Sequence, residues 1–162
     1  MVLVRAAVVE EWQVLRDIRL AALRDTPSAF GSTYAQALQL ADQDWRNRAA
    51  AGSSFLAYLP EVSTTEPVGL AAGYLETPGT AELVSMWVSS QARGRGVGEA
   101  LIARVTQWAM EQPETRTLHL WVTESNKPAC RLYERCGFAP TGERQPLPSD
   151  PSLDEVAMAR PL

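Results

Sequence analysis

The stretch Gln91, Ala92, Arg93, Gly94, Arg95, Gly96, Val97, Gly98 joins two segments of different periodicity through glycine and arginine. Before it, residues 81–88 read as an extended, mostly buried strand. After it, Val97, Leu101, Val105 and Trp108 mark the apolar stripe of a helix and leave Glu99, Arg104 and Gln107 for its other faces. A chain passing from strand to helix over so few residues needs glycine for positive φ and for close backbone approach. The helix start offers free N–H groups and the positive end of a dipole, so the turn predicts an anion cradle suited to phosphate.

Other phosphate loops also place glycines between strand and helix, and their spacings differ. The Rossmann fingerprint needs a last glycine where this chain has Glu99. A P-loop needs Gly-Lys-Ser or Gly-Lys-Thr, and neither tripeptide occurs. The segment does satisfy Gln or Arg, two free positions, Gly, one free position, then Gly or Ala, at Gln91, Gly94 and Gly96. Standing alone, that spacing also fits an ordinary glycine-rich turn.

A second block runs Asn126, Lys127, Pro128, Ala129, Cys130, Arg131, Leu132, Tyr133, Glu134, Arg135, Cys136, Gly137, Phe138. Pro128 suits a first helical turn, Ala129, Leu132 and Tyr133 fall at helical spacing, and Gly137 suits the stop. On residue type alone Tyr133 reads as a core aromatic with a satisfied hydroxyl. Together and in this order, the two blocks resemble the GCN5-related N-acetyltransferase (GNAT) family, the first matching its acyl-coenzyme A signature and the second its last helix and strand. The resemblance implies an α/β (α+β) fold, with a central mixed, mostly antiparallel sheet, about four flanking helices and splayed central strands.

The rest of the chain is compatible with that order. Residues 10–24 give an amphipathic helix through Trp12, Leu15, Ile18 and Ala22, and after a break at 26–31 a second helical stripe runs through Tyr34, Leu38, Ala41, Trp45 and Ala49 to Gly52. Residues 54–59 and 68–75 predict hairpin-connected strands, residues 117–123 alternate as a strand, and residues 138–144 and 156–160 predict two closing strands around the Pro-rich loop at 146–151. At 162 residues and 46% hydrophobic composition, one domain over 1–162 is expected.

A formal net charge of -4 argues against a general nucleic-acid binder and fits cationic small substrates better. Arg93 and Arg95 are a local positive feature beside the glycines. Cys130 and Cys136 lie six residues apart on or at the end of one helix, too far to bridge, which predicts a reducing compartment. Neither belongs to a Cys-x-x-Cys pair and the single His119 lies in another segment, so no metal site is expected. Residues 2–9 lack a signal peptide's long apolar core and no run is long enough to cross a bilayer, so the expectation is a cytoplasmic protein without a membrane association.

The resemblance also implies roles for residues. Acetyl-coenzyme A would be the co-substrate, its arm entering between strands that end near Val88 and Val122. Backbone groups at Met86, Trp87 and Val88 would pair with the arm and polarise the acetyl carbonyl, amides at Arg93, Gly94, Arg95, Gly96, Val97 and Gly98 would meet the pyrophosphate, and Asn126 would lie near the thiol end. Tyr133 would be the acid that protonates the departing thiolate, since a phenol stays protonated at neutral pH. Glu82 occupies the position of the glutamate of the histone acetyltransferase branch, where a carboxylate could serve as base directly or through water; the alternative is a Glu that orients substrate or pairs with a nearby cation. His119 suits proton transfer by type, yet it alternates with Thr117 and Trp121 along a strand and is assigned a structural role. Of the five tryptophans, Trp12, Trp45, Trp108 and Trp121 fit core positions, while Trp87 falls where the arm approaches.

The predicted activity is acetyl transfer to a primary amine of a small molecule by direct attack. Protein or peptide N-acetylation, a non-catalytic acyl-coenzyme A binding or sensing domain, and an unrelated nucleotide-binding α/β protein are the alternatives. Acceptor contacts are expected from residues 23–34 and 145–153, and the resemblance implies a homodimer. The acceptor's identity, and acetyl against a longer acyl donor, lie beyond the sequence.

Overall fold

A computed structural model describes all residues, 1–162. Seven strands form one sheet in the order β1-β2-β3-β4-β5-β7-β6. They are β1 (Leu3–Ala6), β2 (Ser54–Tyr58), β3 (Gly69–Thr77), β4 (Thr80–Val88), β5 (Thr117–Thr123), β6 (Ala139–Leu147) and β7 (Asp150–Pro161). The helices are α1 (Trp12–Asp25), α2 (Tyr34–Leu38), α3 (Asp42–Ala50), α4 (Val97–Met110) and α5 (Lys127–Arg135). All neighbouring strands are antiparallel except β4 and β5. No helix is long and apolar enough to cross a membrane.

The sheet separates two apolar layers. On one side Val97, Leu101, Ile102, Val105 and Ala109 of α4 pack with Phe55, Ala57, Ala71, Ala81, Leu83, Leu118 and Leu120, joined by Tyr133 of α5 and by Phe138. On the other, Leu15 and Ile18 of α1 and Ala49 of α3 meet Leu56, Tyr58 and Leu70, while Ala22, Leu23, Phe30, Ala37 and Trp45 form a further cluster. Residues of opposite parity on β2 and β3 thus fill opposite layers, as period-two side-chain alternation requires.

Three differences from the sequence reading have local causes. The second helical stripe is two helices, because Asp44 turns back to accept the Ala41 N–H at 2.8 Å and starts a new N-terminus there. The closing strands run longer than expected and absorb most of the Pro-rich segment, with β6 carrying Pro140 and Pro146 on an exposed edge strand where a missing N–H does little harm. The third difference lies in β4. Leu70 faces Trp87 and Ala72 faces Val84, so two residues, Ser85 and Met86, oppose Ala71 alone, and Ser85 takes φ 61°. This bulge reverses the alternation: Ala81 and Leu83 point to α4, but beyond it Met86 and Val88 do so while Trp87 joins the α1 layer.

Gly73 of β3 shows how closely α4 is seated. A Cβ there would lie 2.4 Å and 2.6 Å from the Trp108 ring, which is rigid and pinned by the sheet. Gly73→Ala is expected to lower stability by about 1–3 kcal/mol through overpacking, seen as a lower denaturant midpoint at unchanged m-value.

Candidate active site

Parallel pairing of β4 with β5 covers three positions, Thr80 with Thr117, Ala81 with Leu118 and Glu82 with His119, and then stops. Beyond that point β4 continues to Val88 bonded to β3 alone, and β5 continues to Thr123 bonded to β7 alone. The two strands part, leaving facing edges whose N–H and C=O groups have no strand partner across the gap. A cavity of about 800 Å³ occupies this region, lined by Leu83 to Val88 from β4 and by Trp121, Val122 and Thr123 from β5.

The glycine turn closes one end. Gly94 and Gly96 adopt φ 76° and 82°, and Gly96 is the N-terminal cap residue of α4 with no side chain capping the helix. The first intrahelical bond joins the Ala100 N–H to the Gly96 carbonyl at 3.1 Å, so the amides of Val97, Gly98 and Glu99 precede any intrahelical acceptor. Gly94, Gly96, Val97 and Gly98 all line the cavity. Space stands open around a Cβ built at Gly94 or Gly96, whereas one at Gly98 would fall 2.9 Å from Leu132 Cδ2 and 3.3 Å from Met86 Cε. The third glycine therefore seats α4 against α5, and the first two hold the turn.

Both arginines are held by carboxylates. Arg93 lines the cavity, donates from Nε to the Val88 carbonyl at 3.0 Å and from Nη2 to Asp25 Oδ2 at 3.0 Å. Asp25 Oδ2 also accepts from the Thr26 hydroxyl at 2.7 Å and the Trp87 indole at 3.1 Å, and the Thr26 bond is the main cause holding its carboxyl below the ordinary range. Arg95 pairs with Glu61 at 2.8 Å and is absent from the cavity wall. Exposed pairs of this kind contribute roughly 0–1 kcal/mol, so their effect is orientation: Arg93 ties the end of α1 to the end of β4, and Arg95 ties the turn to the segment after β2. The Trp87 ring packs in the α1 layer, turned there by the bulge.

The other end of the cavity is built by α5 and the segment after α1. Asn126 lines the wall and caps α5, its Oδ1 accepting the Ala129 N–H at 3.3 Å. Tyr133 is 5% exposed, lines the cavity, stacks edge-on against Phe138 at 5.8 Å between centroids, and its hydroxyl has no protein hydrogen-bond partner. Burial, with smaller effects from Cys130 and Cys136, pushes that phenol well above its usual range. Thr26, Ala29 and Phe30 complete the wall. Their backbone is fixed by Thr123 Oγ1 donating to the Ser28 carbonyl at 2.6 Å and by Ser149 donating to the Phe30 carbonyl. Of the two segments expected to meet the acceptor, residues 23–34 reach the cavity and residues 145–153 instead buttress them.

Glu82 is 3% exposed and sits one step before Val84 on the same face of β4, just outside the cavity wall. Its carboxylate meets His119 Nδ1 at 2.9 Å and 2.8 Å through its two oxygens. Burial pushes the Glu82 carboxyl up; the His119 hydrogen bond and charge pull it down, while Glu76 and Glu143 add to the rise. The pair escaped the sequence reading, which treated His119 as structural, because cross-strand register between β4 and β5 has no local signature.

Gly96→Ala tests the turn without a clash, since only its left-handed φ is at issue. The expected cost is roughly 1–2 kcal/mol of stability, measured as a lower melting temperature, with the cavity's other residues undisturbed.

The sequence model described as "Acetyltransferase (GNAT) family" matches residues 13–138. A mycothiol acetyltransferase of Mycobacterium leprae is 31% identical over 140 residues, covering 80% of this chain and 43% of its own. A streptothricin acetyltransferase of Escherichia coli is 36% identical over 73 residues, covering 39% of this chain and 41% of its own. This chain thus spans less than half the length of these curated relatives. The crystal structure of a GNAT-family acetyltransferase from Streptococcus pneumoniae superposes with a TM-score of 0.79 at 18% identity, covering 100% of this chain and 99% of that one, a likeness of fold. With the parted strands, the glycine turn and a family match over most of its length, the chain belongs to the acetyltransferase (GNAT) family.

Proposed function

We propose that this protein transfers an acetyl group from acetyl-coenzyme A to a primary amine of a small molecule by direct attack. The observation that carries the reading is the single cavity between β4 and β5, which brings the free amides of the α4 turn and the unpartnered Tyr133 hydroxyl to one space. The residues present fit the co-substrate by donor chemistry. Amides at Arg93, Gly94, Arg95, Gly96, Val97 and Gly98 would hold its pyrophosphate. The gap-facing backbone of Met86, Trp87 and Val88 would pair with its extended arm as an added strand would and donate to the acetyl carbonyl oxygen. Asn126 would stand near the thiol end. When bound, acetyl-coenzyme A supplies a thioester carbonyl open to nucleophilic attack.

In this reading two residues of the chain move protons. Glu82 takes the proton that the amine must lose to form the amide; since it lies behind Val84, it does so through a water. Tyr133 gives its phenolic proton to the departing sulfur and recovers one from solvent. Burial suits Tyr133 to this because it remains a phenol at neutral pH, and its hydroxyl is not committed to another protein group. The small-molecule acceptor is supported by the concave, aromatic-lined wall of Phe30 and Trp121 and by the chain's net charge of -4.

Release of coenzyme A thiol across a panel of small amines, including polyamines and amino acids, and of peptides with free N-termini tests the reading. Turnover with a small amine is expected. Turnover with peptides alone would move the acceptor to proteins, and coenzyme A binding without release from any acceptor would overturn acetyl transfer. Tyr133→Phe is expected to lower kcat by about 10²-fold with coenzyme A affinity unchanged. Because the Glu82 carboxyl is raised above its ordinary value and acts in its ionised form, kcat/KM should fall as pH drops through that raised value, earlier than an ordinary carboxylate would cause. Glu82→Gln should remove this limb and slow turnover at every pH.

A further inference from the structure

Glu82 is a carboxylate in a place that opposes its charge. Its side chain is 4% exposed and its one hydrogen-bond partner is His119. Tyr74 of β3 is its cross-strand neighbour, Glu76 lies two residues further along that strand, and Glu143 of β6 comes within 3.6 Å of His119 Nε2. Among the charged and titratable groups that bear on Glu82, two are carboxylates and His119 alone favours ionisation. Both Glu82 oxygens lie within hydrogen-bond distance of one nitrogen; with Glu82 ionised, as the base reading requires, Nδ1 carries the proton and donates it, since a lone pair facing the carboxylate would repel. The ring is itself fixed, edge-on against Trp121 at 5.6 Å, and Trp121 lines the cavity. The two residues are also the last paired position before β4 and β5 part.

We propose that His119 is a positioning residue for acetyl transfer, its Nδ1–H keeping Glu82 in the carboxylate form and aiming that carboxylate along β4 toward the acceptor. The proposal rests on Glu82 being the base. A buried base must be ionised before the amine arrives; without a donor beside it, burial and the flanking carboxylates push it further toward the neutral acid, which is too weakly basic to take the amine's proton. A structural histidine would hold the strands together equally well with its proton on either nitrogen. Here the donor is directed at the one carboxylate the reaction uses.

The test follows the Glu82 carboxyl by ¹³C NMR in the full chain, its signal assigned by loss in Glu82→Gln. His119→Phe keeps a flat ring but removes the donor, and His119→Asn keeps a donor near Nδ1; His119→Leu replaces the Phe variant if that one melts early. The midpoint is expected to rise by about one pH unit, a tenfold change in proton affinity, in the donor-free variant and to stay near wild type in His119→Asn. The acid limb of kcat/KM for an amine that turns over should move with it, KM for that amine staying constant. An unmoved midpoint in a folded donor-free variant, or the same rise in His119→Asn, overturns the proposal. Wild-type turnover by Glu82→Gln overturns the base reading and this proposal with it, whereas a slow Glu82→Gln with an unmoved midpoint overturns this proposal alone.

Discussion

A parallel strand pair persists only while both backbones stay extended and in register; β4 pairs with β5 only as far as Glu82, and three residues on, at Ser85, its backbone leaves the extended region. Its φ of 61° lies in the left-handed region, which costs a non-glycine residue roughly 1–2 kcal/mol, and the extra residue swings the remainder of the strand. Pairing with β5 has ended by Glu82 and His119. Around that parting lie the gap with its unpaired backbone groups, the cavity with Tyr133 in its wall, and Glu82 with His119 at the last paired position. Buried backbone groups without partners are costly, so a gap of this kind is suited to a ligand with amide and carbonyl groups of its own.

The two ends of the cavity are built on different principles. At the α4 turn the groups free of intrahelical partners are main-chain amides, and the residue types chiefly permit the backbone geometry: Gly94 and Gly96 through positive φ, Gly98 by letting Leu132 and Met86 come close. The arginines beside them are turned toward Asp25 and Glu61. Tyr133 in the cavity wall and Glu82 just outside it are instead side chains whose environment sets their protonation. Burial drives Tyr133 toward the phenol and Glu82 toward the neutral acid, and only Glu82 has a neighbour, His119, that opposes the effect in part.

The glycine turn and the segment 126–138 were legible because each is governed by local rules: positive φ, proline in a first helical turn, glycine after a last one. The split of the second helix was not, since the stripe of Tyr34, Leu38, Ala41, Trp45 and Ala49 keeps helical spacing across a break made by one Asp44 side chain. Nor was the side-chain direction of Trp87. Strict alternation from Leu83 would place it against α4, and the bulge that sends it to α1 depends on the pairing of β3 with β4 rather than on any residue type. The Glu82 and His119 pair is hidden for the same reason: 37 residues separate them, and only register across the sheet makes them neighbours.

Amide hydrogen exchange with and without acetyl-coenzyme A tests the central claim most directly, that the parted strands and the α4 turn are one binding site. Slowed exchange is expected at residues 84–88 and 94–99 together, with β1, β2 and the β6–β7 hairpin unchanged. Saturable binding that protects only the α4 turn, or that leaves both segments exchanging as before, would contradict it.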